Sequence, residues 1–343
     1  MGIRQDGRIL CFGEVLLRLS APGAEFLLQT PRLQTTFGGA ETNVAVSLAR
    51  FGHDVRMISI LPDNAIGRAA TDELRRYGVD VSGLQVAPGG RMGLYFFTPG
   101  AVRRASQVLY DRADSAFARA GADAIDWSET LKGAGWLHLS GVTAALGPDS
   151  AAAGVAAAKA ARAAGVTVSF DCNYRARLWA AWNGDPRPVV GEILSLADVV
   201  FGDHRDVALI LGKTFEGEGE APRAAAAKLA FETWPNLQRM ASTRRIQHSV
   251  NHHDLAGFMF DRSGAAWETP AIPLTPIVDR IGGGDAFAAG LIHGLRHGLA
   301  DQRTVEFALA AAALKHSIPG DFNLATVGDV ESLLSDGGLD VRR

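Results

Sequence analysis

Cysteine is scarce. The chain has only Cys11 and Cys172, each inside an apolar run that reads as a strand, so no disulfide framework is expected and a reducing, cytoplasmic setting fits. Long apolar runs are missing as well. Nothing approaches the roughly 18 consecutive apolar residues of a membrane-spanning helix, and no signal peptide is read ahead of Ile9. Charge of one sign does not accumulate: the formal net charge is −3 and no long basic run occurs. That argues against a broad polyanion-binding surface and makes nucleic acid an unexpected partner. Metal-ligand residues are thinly spread. His252-His253-Asp254 has no further cysteine or histidine at ligand spacing and reads as a turn or exposed loop. Neither G-x-G-x-x-G after the first strand nor G-x-x-x-x-G-K-[ST] is present, which removes the dinucleotide-binding fingerprint and the P-loop. No internal repeat of fixed period is visible.

What is there has the balance of a soluble globular enzyme, 47% hydrophobic and 21% charged. The 343 residues suffice for two domains, or for one large α/β domain with an appendage. Strand-like and helix-like segments alternate over most of the length. Arg8 to Phe12 reads as a strand, Thr42 to Phe51 as a helix with Val44, Leu48 and Phe51 on one face, and Val55 to Ile60 as a strand. Asp63 to Tyr77 is a helix, Trp136 to Leu139 a strand, and the alanine-rich Asp149 to Ala164 a helix. Strands follow at Val166 to Phe170 and Asp198 to Phe201, then helices at Arg205 to Leu211 and Ala221 to Trp234. Strands at Ile246 to Val250 and Gly257 to Phe260 precede two closing helices, Asp285 to Leu299 and Thr304 to His316. This alternation predicts a mostly parallel sheet covered on both faces. Two strand-only excursions, about 14–37 and 90–112, interrupt it. They predict a small second sheet that acts as a lid over the carboxyl ends of the main strands.

Two glycine clusters each run into a helix. Gly282-Gly283-Gly284 leads into Asp285, with Phe287, Leu291 and Leu295 repeating along one helical face. The free N–H groups of a helix's first turn, with the helix dipole behind them, make an anion site. A carboxylate is not needed to hold an anion. Asp285 is therefore either a base that takes a proton from a hydroxyl attacking a phosphate, or a plain helix cap. The second cluster is Phe37-Gly38-Gly39-Ala40-Glu41-Thr42-Asn43, which on its own is a tight entry turn.

Taken together, 37–52 and 279–290 resemble the paired signatures of the ribokinase-like, PfkB-type carbohydrate kinases, and the resemblance extends over essentially the whole chain. Within that family the chain is most similar to the 2-dehydro-3-deoxygluconate kinases. The residues that carry this are Gly13 to Ser20, Tyr110-Asp111-Arg112, Phe170-Asp171-Cys172-Asn173-Tyr174-Arg175 and Pro319-Gly320-Asp321-Phe322-Asn323. The resemblance implies a ribokinase-like three-layer α/β/α fold with a small β-sheet lid, as a single domain over 1–343. It implies ATP-dependent phosphorylation of a keto-deoxy sugar acid at O6, with Asp285 as general base and Gly282, Gly283 and Gly284 as an anion hole. Gly39, Asn43, Tyr95, Tyr110, Arg112, Arg175 and Asp321 would contact the sugar acid. An arginine fork suits its carboxylate, and a tyrosine offers a hydroxyl and an apolar ring. From the residues alone, Tyr95 and Tyr110 are equally ordinary strand aromatics, Arg112 a solvated strand end and Arg175 one half of a structural ion pair. Asn173, Ser242, Thr243 and Arg244 would contact ATP, and Mg²⁺ would shield the triphosphate.

Two stretches depart from the family pattern. Asp203-His204-Arg205-Asp206 stands where an asparagine-x-x-glutamate element is usual, so Asp206 is either a metal-site carboxylate or part of a helix-capping pair. The 241–251 stretch carries Arg244-Arg245 and His248. The resemblance also implies a homo-oligomer, a dimer or higher, formed through the lid, which the exposed strand edges near 94–110 would permit.

Overall fold

The computed structural model describes residues 3–217 and 219–336, so the ends of the expected 1–343 domain, and Glu218, lie outside the described residues. The main sheet has ten strands among the described residues. In chain order they are β1 (Arg8–Phe12), β4 (Val55–Pro62), β5 (Leu84–Ala87), β8 (Ala134–Ser140), β9 (Thr167–Asp171), β10 (Val199–Phe201), β11 (Arg239–Ser249), β12 (His252–Asp261), β13 (Ala266–Glu268) and β14 (Ile272–Leu274). The strand order is β13-β12-β11-β10-β9-β8-β1-β4-β5, with β14 also paired to β12. Every pairing from β5 across to β11 is parallel; β12 runs antiparallel to β11, β13 and β14.

Period-two alternation explains why this sheet needs helices on both faces. In β1, Ile9 and Cys11 enter one core while Leu10 and Phe12 enter the other. The first core is closed by α1 (Ala40–Arg50), α2 (Ala65–Arg76), α10 (Gly283–Arg296), α11 (Asp301–Lys315) and α12 (Val327–Asp336). The second is closed mainly by α3 (Trp127–Thr130), α5 (Pro148–Ala163), α7 (Pro186–Leu196), α8 (His204–Leu211) and α9 (Ala221–Thr233). Two short helices, α4 (Gly141–Ala144) and α6 (Ala176–Ala181), follow β8 and β9. Each fully buried side chain such as Phe307 or Leu10 stabilises the fold by roughly 1.5–3 kcal/mol. Both cysteines are free and buried in these layers. No helix among the described residues is long and apolar enough to cross a membrane.

The two excursions form a separate four-stranded sheet, ordered β3 (Gln34–Gly38), β2 (Leu16–Ser20), β6 (Gly93–Thr98), β7 (Gln107–Asp111). The expected antiparallel β6–β7 pair is present, and β2 and β6 run parallel in the middle. Leu16, Arg18 and Ser20 are buried on the inner face of β2, with Tyr95 and Phe97 beside them on β6. Leu16 on β2, Tyr95 on β6 and Tyr110 on β7 line one cavity with Asp171, at the carboxyl end of β9.

Two expectations need correction. The strand read as Ile246 to Val250 begins at Arg239, because the polar run around Arg244-Arg245 masks its pattern. His252-His253-Asp254 is no loop: it opens β12, and His253 is completely buried. β5 and α12 were not anticipated; β5 is short and half exposed, and α12 lies beyond the last motif.

Candidate active site

The turn before α10 is shaped by two constraints on one glycine. Gly282 has φ 81°, and a Cβ there would meet the Asp321 carbonyl oxygen at 2.1 Å. The helix begins immediately afterwards, and the first amide to close an α-helical bond is that of Ala286, on Gly282 O at 2.9 Å. The Gly283 amide makes only a long contact to Arg280 O, 3.4 Å. The Gly284 and Asp285 amides have no protein acceptor among the described residues. At the three glycines, the Gly284 and Asp285 amides are thus the donors left open at the start of α10, with Gly282 as the turn that exposes them.

The Asp285 carboxylate lies at the floor of a cavity of about 330 Å³ between the main sheet and the lid. Asn43, on α1, donates from Nδ2 to Asp285 Oδ2 at 2.6 Å, while its own Oδ1 is buried without a partner. Loss of water around Asp285 pushes its carboxyl up to about 7, and the charges of Asp321 and Glu41 push the same way. Asp171, at the end of β9, is pushed up to about 8, by burial first and by Asp285 next. Two carboxyls that repel one another in this way do not both ionise readily near neutral pH. A simple helix cap is normally held below its usual range instead.

The sequence-expected residues converge on this cavity. Gly39, Asn43, Tyr95, Tyr110, Arg112, Asn173, Arg175, Asp321 and the three glycines all line it with Asp285. Gly39 sits at φ 131°, and a Cβ there would strike the Glu14 carbonyl oxygen at 2.2 Å. Four of these residues are engaged in unforeseen ways. Arg112 is buried rather than solvated. Its Nε donates to Glu14 at 2.7 Å, leaving both terminal nitrogens without a protein partner among the described residues. The Tyr95 hydroxyl is taken up by Asp321, 2.6 Å to Oδ2, so its ring is what remains toward the cavity. Asp321 also accepts from Arg18 Nη1 at 2.8 Å. Among the described residues Arg175 forms no ion pair, and its guanidinium reaches only the Tyr174 carbonyl, at 3.1 Å.

A neighbouring cavity of about 510 Å³ is lined by Asn173, Asp206, Ser242, Thr243 and Gly284. Asp203 and Asp206 form a reciprocal capping box at the start of α8, with the Asp203 amide donating to Asp206 Oδ2 at 2.8 Å. Asp206 Oδ1 makes no protein hydrogen bond among the described residues. Burial pushes this carboxyl up to about 6. Capping and lining are therefore both true of Asp206.

Arg244 is bound by Glu220 at 2.8 Å and Glu268 at 3.5 Å. Arg245 lines the 330 Å³ cavity with Arg280, and neither has a carboxylate partner among the described residues. A further cavity of about 440 Å³ joins Arg245 and Arg280 to Gly283 and Gly284.

Sequence reasoning assigned no role to Arg18, Glu14, Asp171, Arg245, Arg280 or Lys315. Arg18 is 4% exposed and bonds both Asp279 (2.7 Å) and Asp321 (2.8 Å). Lys315 is fully buried and donates to Ile318 O at 2.9 Å; burial lowers its ammonium to about 8. The available signal for Arg18 was an arginine in phase with Leu16 and Ser20 on the inward face of a strand.

An inter-sheet cleft, an exposed helix N-terminus and a raised carboxyl beside it define a phosphotransferase-like site. Known proteins agree with it. The pfkB family carbohydrate kinase model matches residues 6–323, and the chain belongs to that family. It is similar to the 2-dehydro-3-deoxygluconokinase structure from Thermotoga maritima, at 38% identity over 96% of this chain and 99% of that one, with a TM-score of 0.89. It is also similar to the 2-dehydro-3-deoxygalactonokinase of Haloferax volcanii, 32% identical over 97% of this chain and 98% of that protein. The 2-dehydro-3-deoxygluconokinase of Thermoproteus tenax is 28% identical over 91% of this chain and 89% of its own length. The protein is a carbohydrate kinase with the ribokinase-like fold.

Proposed function

We propose that the enzyme transfers the γ-phosphoryl group of ATP to O6 of 2-dehydro-3-deoxy-D-gluconate, as one kinase domain working in the cytoplasm. The observation that carries this is the meeting, in one cavity, of Asp285, the two unpartnered amides beside it and the free fork of Arg112. Arg112 holds the substrate carboxylate by paired N–H donors. Tyr110 and the Tyr95 ring pack on the carbon chain, and Gly39 allows close backbone approach. That pose sets the far hydroxyl against Asp285.

Asp285 takes the hydroxyl proton as O6 attacks phosphorus. A carboxyl near 7 is basic enough to do so at neutral pH, and Asn43 fixes its orientation. The Gly284 and Asp285 amides stabilise charge on the transferring oxygens, and Arg245, Arg280 and Arg175 offset the rest. Mg²⁺, which neutralises triphosphate charge when bound, suits Asp206 and Asp171: both are hard oxygen donors whose carboxyls are held up by burial and crowding. Ser242 and Thr243 line the nucleotide side with Asn173. Arg244, paired with Glu220 and Glu268, lines the adjoining cavity with Thr243, Gly283 and Gly284, and its contact with ATP is weaker than that of Arg245.

A second reading, the galacto epimer as substrate, is favoured by the similarity to the Haloferax protein. A panel of both epimers, fructose and ribose with ATP and Mg²⁺ tests these readings. Turnover of a neutral sugar but of neither acid would refute the acid assignment, and ATP binding without any product would point to a binding protein. Arg112→Ala is expected to cost about 10–100-fold in kcat/KM on the acid, the loss of a charge-assisted pair, and little on fructose.

We also read the chain as a homodimer through the lid. Leu19, Phe96 and Leu109 form one cross-strand row on its outer face, and Leu109 is 61% exposed.

A further inference from the structure

Three histidines meet at the opposite end of α10 from Asp285. His293 and His297 are one helical turn apart on that helix, and His53 reaches them from the turn after α1. One nitrogen from each ring lies within 4.8 Å of the other two. The rings are held by packing. His293 stacks on Phe307 at 4.6 Å and meets Phe51 edge-on at 5.4 Å. His53 meets His293 at 5.1 Å and His297 at 5.0 Å.

The protonation pattern suits a ligand set. His297 Nδ1–H donates to the His293 carbonyl oxygen at 3.0 Å, which leaves the Nε2 lone pair of His297 free. His53 Nε2 and His293 Nδ1 are 2.9 Å apart and share one proton. Two nitrogens bound to one tetrahedral ion at about 2.1 Å lie about 3.4 Å apart, so a small opening of this pair admits an ion. The shared proton then moves to the other nitrogen of the ring that carried it. The helix C-terminus adds a favourable partial negative charge. Arg296, the neighbouring cation, is drawn away by the carbonyls of Asp6 and Gly7. His297 is exposed, so an ion has an entry path and a water can complete the shell.

We propose that His53, His293 and His297 bind one divalent transition-metal ion of the zinc type. An all-imidazole set suits Zn²⁺, Ni²⁺ or Cu²⁺ rather than Mg²⁺. The ion clasps the end of α1 to the end of α10, about 12–18 Å along the helix from Asp285. It stabilises the fold and takes no part in phosphoryl transfer.

The test uses tag-free full-length protein stripped with a chelator. Calorimetric titration with Zn²⁺ is expected to show one tight equivalent, and Co²⁺ to give a visible absorption band. His297→Gln, at an exposed position where folding is not at stake, and His53→Asn should each weaken Zn²⁺ binding about 100-fold. His252→Asn, in the other histidine-bearing group (His248, His252, Asp254), should leave it intact. Saturating Zn²⁺ should raise the melting temperature of the wild type by a few degrees and leave that of His297→Gln unmoved. Absence of binding tighter than about 100 μM, equal binding by wild type and His297→Gln, or loss of the site in His252→Asn would each overturn the proposal.

Discussion

Replacing Gly284 by alanine separates an anion hole from a mere helix start. An ideal Cβ at Gly284 meets no protein atom within 4 Å, and the residue is exposed in the first turn of α10. The methyl group costs nothing in packing, and alanine in a helix is favoured over glycine by up to about 1 kcal/mol. The melting temperature should therefore hold or rise by about 1–3 °C. The methyl group occupies the space where a transferring phosphate would approach the Gly284 and Asp285 amides. Displacing a reacting group by about 1 Å costs roughly 10²-fold, or about 2.7 kcal/mol of barrier. Steady-state kinetics with ATP and the sugar acid, beside a thermal melt of the same preparation, read both effects. Gly283→Ala is the contrast: its Cβ would fall 2.6 Å from the His316 ring, so it should lose stability and activity together. A Gly284→Ala enzyme within twofold of wild-type kcat/KM would refute the placement of the phosphate.

The remaining expectations are narrower. With Asp285 near 7 and active only as the carboxylate, kcat should rise about tenfold per pH unit below that value and level off above it; Asp285→Asn should lose about 10²–10⁴-fold and the pH dependence with it. Arg245→Ala should lower kcat/KM for ATP by about 10–100-fold, whereas Arg244→Ala, whose partners are Glu220 and Glu268, should change it less than about threefold. Leu109→Asp, in the outer row of the lid, should shift the mass seen by light scattering from dimer to monomer without changing the fold by circular dichroism.

Local chemistry was readable and long-range pairing was not. Gly282 to Asp285 announces itself, because a glycine turn running into a helix is a contiguous signal. The lid excursions were legible for the same reason: strand runs without an intervening helix. Arg245, which was passed over, shows where this fails. In a strand, the choice between Arg244 and Arg245 depends on phase, and the start of β11 was concealed by the polar residues that matter. Arg18 serves carboxylates, and Lys315 a backbone carbonyl in a buried pocket, that only the finished fold brings close. A lone arginine in the pattern of β2 does not say which acids it meets, and a lysine at the end of an alanine-rich helix reads as a solvated charge. Asp171 lay inside a quoted motif, but its coupling to Asp285 follows from the adjacency of β9 and α10. The buried His253 was misread because three polar residues in a row hide a strand start.

Arg18 also limits how the enzyme can open. Its guanidinium is carried by the small-sheet strand β2, yet it grips Asp279 and Asp321, which belong to the segments framing the Gly282 turn. Lifting β2 would strand buried charges, at about 3–5 kcal/mol, leaving fewer than about one molecule in a hundred with that side raised. The sheet is therefore pinned along its two middle strands. β6 is pinned as well, through the Tyr95 hydroxyl on Asp321, so β2 and β6 stay down together and any opening is confined to the edge strands β3 and β7. A measured opening rate should then depend on the edge strands β3 and β7 and be indifferent to solvent conditions that weaken only exposed ion pairs.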